Sequence, residues 1–126
     1  MITFDTFEKL ITTVVQAEEK RDSFENSLEN LLGEGSNVMS LWITDPLWNM
    51  LETIIVDDLK GSSDDFCFLQ ENLYDLVKGE VNSIWVHNKE KDYWGQYDIK
   101  SVKDFYDYLN KSLPVSKVIG GDEVPR

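Results

Sequence analysis

The sequence predicts an α+β domain, on three observations. Apolar residues recur at three- and four-residue spacing through the first 80 positions. That period gives way to strict alternation after about residue 83. A capped apolar stripe at helical spacing then returns near residue 101.

The first element is helical over 5–32. Phe7, Leu10, Ile11, Val14, Ala17, Phe24, Leu28 and Leu31 form its stripe. Asp5 and Glu8 have capping-box spacing at its start, and Gly33 supplies a stop. EEKRD at 18–22 interrupts the stripe. This leaves either one helix with a break or bend near 20–22, or two helices meeting there. GEGSN at 33–37 reads as a loop; it lacks the GK[ST] ending of a phosphate-binding loop. The apolar run VMSLWI at 38–43 suits a buried connection or a short strand.

Asp45-Pro46 opens a second helix over about 45–60, with Asp45 as N-cap and Pro46 in the first turn. Leu47, Leu51, Ile54, Ile55 and Leu59 make its inner face. A third helix over about 63–78 is capped by Ser62 or Ser63, with Asp64 and Asp65 favoured by the dipole of its first turn. Phe66, Leu69, Leu73, Leu76 and Val77 point inward, and Gly79 ends it.

Strands at about 83–88 and 93–99 make a β-hairpin around the polar loop NKEK. Alternation places Tyr93, Tyr97 and Ile99 on the covered face and Trp94 on the other. A cross-strand pair of Trp85 and Trp94 would support so small a sheet. Ser101 and Asp104 cap a last helix over about 101–112, with Val102, Phe105, Tyr106 and Leu109 inward. One domain over 1–112 and a flexible tail over 113–126 complete the expectation.

Hydrophobic residues make up 41% of the chain, enough for a core and too many for a disordered polymer. No run approaches the ~20 apolar residues of a membrane span, and the start lacks a signal-peptide pattern. A cytoplasmic protein is expected. The single cysteine, Cys67, excludes an internal disulfide framework and reads as a small buried hydrophobe beside Phe66 and Phe68.

The net charge is −12. Residues 1–80 hold five basic residues against seventeen acids, while residues 81–126 hold seven of each. Such a surface repels phosphate, which argues against nucleic acid or an anionic membrane as a direct partner. It attracts a basic protein.

Catalytic chemistry is hard to place. His87 is the single histidine, so no multi-histidine metal site exists. DDLKGSSDD at 57–65 offers carboxylates for a cation, but its spacing is not that of an EF-hand. The simpler reading puts Asp57 and Asp58 outside one helix end, and Asp64 and Asp65 in the first turn of the next. No enzyme, metal or other cofactor is expected.

FEKLI near the start, the tryptophan-bearing hairpin and the closing YDIKSVKDFYDYL together span roughly residues 4–109. This order resembles a group of small acidic proteins encoded in phages and prophages of Gram-positive bacteria. The resemblance implies a phage-type accessory protein. Some members of that class block host defence, including restriction and CRISPR nucleases, by occupying a nucleic-acid site. By analogy with that class, the chain is expected to be an inhibitor, a DNA mimic of the anti-CRISPR kind, binding a basic nucleic-acid-binding enzyme.

The candidate contact residues are Asp57, Asp58, Asp64 and Asp65, with Glu18, Glu19, Glu25 and Glu29 extending the rows of carboxylates. Trp94 is the candidate aromatic anchor, and it also allows a homodimer through the hairpin. That second use would fit an assembly protein. An immunity protein against a basic toxin would share the acidic surface.

Overall fold

The computed structural model describes residues 1–32 and 44–120. The expected loop at 33–37, the apolar run at 38–43 and residues 121–126 lie outside the described residues. The architecture is α+β, with helices first and a three-stranded antiparallel sheet in the order β1-β2-β3 after them. By its contacts the chain divides into two compact units, Met1–Phe66 and Cys67–Arg126. The sequence offers no linker at that division because it falls inside a helix.

In the first unit, α1 (Phe4–Leu32) is one helix of 29 residues, running straight through the polar stretch at 18–22. Its cap is Thr3 rather than Asp5. The Thr6 amide donates to Thr3 Oγ1 at 3.3 Å, and Asp5 instead pairs with Lys9 one turn on, at 2.9 Å. Phe7, Ile11, Val14 and Val15 are buried, whereas Phe24 and Leu31 are exposed, so the expected stripe buries its first half.

Helix α2 (Asp45–Thr53) starts one residue earlier than its sequence suggests. The cap position is Thr44, which is buried and accepts through its carbonyl from Leu47 and Trp48. Asp45 is thereby already helical, and Pro46 sits in the first turn, where its missing N–H costs nothing. The helix then widens into a π turn, Ile54–Asp58, closed by Leu59 N donating to the Ile54 carbonyl at 2.9 Å. Leu51, Ile55 and Leu59 are buried along this run, and Trp48 meets Phe66 edge to face at 6.1 Å.

Helix α3 (Ser63–Lys78) crosses from the first unit to the second. It ends as the sequence predicts, at Gly79 with φ +84°, a backbone state that a side chain would strain. Leu69, Leu73 and Leu76 are buried, but Val77 is exposed.

In the second unit, β1 (Asn82–Asn88) and β2 (Tyr93–Ile99) form the hairpin. Asn88 Oδ1 accepts from the amides of Glu90 and Lys91, and Asp92 takes φ +50° to complete the turn. Helix α4 (Val102–Leu109) is capped by Ser101, whose Oγ accepts from the Asp104 amide at 3.1 Å. Phe105 stacks on Phe68 and faces Tyr108, and Tyr108 meets Tyr97 edge on at 5.2 Å. Ile99 and Phe105 are fully buried. The sheet face bearing Tyr97 and Ile99 is therefore the covered one, as alternation predicts.

The expected tail from 113 onward is different in part. Lys117–Gly120 is a third strand, β3, pairing antiparallel with β2.

Candidate interaction surfaces

The acidic stretch 57–65 joins the π turn to α3, and its carboxylates do two kinds of work. Asp58 Oδ2 accepts from the Ile2 amide at 2.6 Å, tying the start of α1 to the π turn. Asp65 Oδ2 accepts from the Ser62 amide at 2.9 Å, while the Asp65 amide donates to Ser62 Oγ at 3.2 Å. That is a reciprocal cap, with Asp in place of the preferred Glu. Asp57 and Asp64 are exposed and enter no hydrogen bond or ion pair among the described residues. The turn between them is tight: Lys60 has φ +61°, and Gly61 N donates back to the Ile55 carbonyl at 2.7 Å. All four aspartates belong to the first unit.

Glu18 was expected in a surface row and is instead buried. Its Oε1 accepts from the Trp48 indole N–H at 2.7 Å, and its Oε2 accepts from Arg21 at 2.7 Å. The Arg21 guanidinium also reaches Asp22 at 3.4 Å, while its Nε is buried without a partner among the described residues. The sequence carried a partial signal for this site, since Glu18 and Arg21 have i,i+3 spacing. Nothing local announced Trp48, which lies 30 residues away. Glu19 stays exposed; Glu25 is half-buried.

On the sheet, the register replaces the expected tryptophan pair. Trp85 lies opposite Gln96, and Trp94 opposite His87. The two tryptophans share a face but sit on a diagonal. Trp94 is half-buried, with the His87 ring 4.9 Å away and Ile119 of β3 opposite on the other side. The third strand thus flanks the residue expected to stand free. His87 Nε2 also meets Asp92 Oδ1 at 3.1 Å. Along the same face Ser83 Oγ donates to Asp98 and accepts from Gln96.

By unit the charge remains unevenly divided, though slightly less sharply than at residue 80. Residues 1–66 carry four basic residues against fourteen acids, a net −10; residues 67–126 carry eight against ten, a net −2. Two of the four cations in the first unit, Lys9 and Arg21, are already paired within α1.

Among the described residues no three His, Cys, Asp or Glu side chains gather so as to hold a metal ion. An open depression on α1 is lined by Gln16, Glu19, Lys20 and Ser23. Cys67 is exposed rather than buried. No helix among the described residues is long and apolar enough to cross a membrane. Compared with protein-family models, curated proteins and solved structures, the chain has no match in any of the three.

Proposed function

We propose that this is a non-enzymatic binding protein of phage type, whose acidic first unit engages a basic protein and inhibits it. The partner class is a nucleic-acid-binding enzyme such as a defence nuclease, with the carboxylates standing in for phosphates at its basic channel. One observation carries the reading: a net −10 is concentrated in Met1–Phe66, against −2 in the remainder. A protein acidic merely for solubility has no need to segregate its charge. A focused negative surface steers a cationic partner and speeds encounter.

Asp57 and Asp64 are the contact residues to test, because neither carboxylate holds a backbone amide or an ion pair among the described residues. Asp58 and Asp65 hold backbone amides, so their reversal would confound binding with stability. The chain is immobilised and challenged with bacterial lysate, and bound protein is eluted by rising salt. The wild type retains a basic nucleic-acid-binding protein that leaves at moderate salt, as screening of exposed charge requires. The double variant Asp57→Lys/Asp64→Lys keeps its circular dichroism and loses that protein. Retention by the double variant at the same salt overturns the reading.

A further inference from the structure

We propose that the outer edge of β1 is a self-association surface, on which a second copy of this chain adds its own β1 antiparallel about a two-fold axis. The residues concerned all lie in the second unit, and none is one of the acidic contact residues proposed above.

The direction of the backbone groups follows from one hydrogen bond. The Ser116 amide donates to the Gln96 carbonyl at 2.7 Å, so Gln96 turns its backbone toward the β3 side. In an antiparallel strand successive residues alternate sides. Tyr93, Gly95, Tyr97 and Ile99 therefore bond to β1, through their partners Asn88, Val86, Ile84 and Asn82. Ser83, Trp85 and His87 are left with N–H and C=O on the outer edge, and β1 ends the sheet on that side among the described residues.

Edge strands are usually blunted by a lysine, a proline, a bulge or short length. β1 has none of these. Its seven residues, NSIWVHN, pair one-to-one with β2, without a bulge. The opposite edge, β3, has four residues, opens with Lys117 and follows Pro114 closely.

Charge selects the occupant. Residues 82–88 contain no Asp, Glu, Lys or Arg, and they lie in the unit of net −2. Two copies of this strand bring no formal charge against another along the contact. A basic peptide is drawn instead to the first unit. The free groups are also self-complementary about Trp85. Ser83 of one copy falls opposite His87 of the other, and Trp85 opposite Trp85, each pair exchanging two N–H···O bonds. The tryptophan side chains then meet on one face, where aromatic pairing adds to the contact.

Sedimentation equilibrium of the wild type tests this, with Ser83→Pro and Trp85→Lys as variants. Proline at Ser83 removes an outward N–H and leaves the backbone bonds to β2 intact, at the loss of the hydroxyl's contacts with Asp98 and Gln96; lysine at Trp85 sets two charges face to face and keeps those contacts. The wild type rises from one chain toward two across the micromolar range, and each variant weakens association by roughly tenfold or more. A wild type that stays one chain at about 1 mM overturns the proposal. So does growth beyond two copies, which points to β1 meeting β3 of the next molecule. Amide exchange on the wild type needs no variant. The Ser83, Trp85 and His87 amides slow as concentration rises; a doubled mass with those rates unchanged places the contact elsewhere and also overturns it.

Discussion

Glu18 shows how one residue can turn a surface pattern into an internal one. A carboxylate in a helix is ordinarily solvated, and burying it is costly unless its oxygens are occupied. Here both are, one by the Trp48 indole and one by Arg21. Trp48→Phe keeps the ring contact with Phe66 but removes the donor and leaves a buried acceptor unmet. The expected loss is about 1.5–3 kcal/mol, the range for hydrogen bonds to charged groups, read as a lower urea midpoint at unchanged slope. Glu19→Gln, one position along and exposed, should leave the midpoint where it was. Equal effects from the two would mean that the Glu18 contact contributes nothing specific. Periodicity sets Glu18, four residues after Val14, on the buried stripe and Glu19 off it, but it could not supply the partner, because Trp48 is placed by how α2 lies against α1.

At the scale of elements, local chemistry and outcome agree where a helix end is decided within a few residues. Ser62 with Asp65, Ser101 with Asp104 and Gly79 all sit where their residue types predict. Ser62→Ala removes the hydroxyl that accepts from the Asp65 amide and should cost about 1 kcal/mol. Asp64→Ala, in the same turn but outside the cap, should change thermal stability by no more than about 0.5 kcal/mol. A larger loss at Asp64 than at Ser62 would assign the helix start to charge and dipole rather than to the cap. The elements read less well are those decided at a distance. EEKRD looked like an interruption of α1 because Glu18 and Arg21 are polar, yet their partners keep the helix whole. KVIG at 117–120 is too short to show alternation, and its strand character comes from the open edge of β2. That same strand sets Ile119 beside Trp94, a neighbour that the hairpin's own residues do not announce. The tryptophan pair failed by register: a shift of two residues keeps the face and changes every partner.

For the whole molecule, the excess charge and its place in the first part of the chain are legible in the sequence, but the boundary of the compact unit that carries most of it is not. The division at Phe66 falls within α3, so no linker marks where net −10 gives way to net −2. Ten uncompensated charges on a 66-residue unit repel one another within the folded state and relax when the chain expands. Against this stand the short ion pairs Asp5–Lys9 and Glu18–Arg21. The first is exposed and contributes little; the second is nearly enclosed and resists screening. Repulsion at longer range is the term that salt removes most readily, because the Debye length falls from about 20 Å near 0.02 M to about 4 Å near 0.5 M. The melting temperature should therefore rise by a few degrees over that span of sodium chloride. The reverse trend would mean that local pairs outweigh the summed field, and the acidic unit would then be balanced internally rather than poised for a basic partner. Asp57→Lys/Asp64→Lys sharpens the test, since it lowers the charge of the unit by four without touching a cap. Its melting temperature should exceed that of the wild type at low salt and converge with it at high salt. A difference that persists at high salt would be local, from packing or from the dipole of α3 beside position 64, and the long-range field would not be its cause.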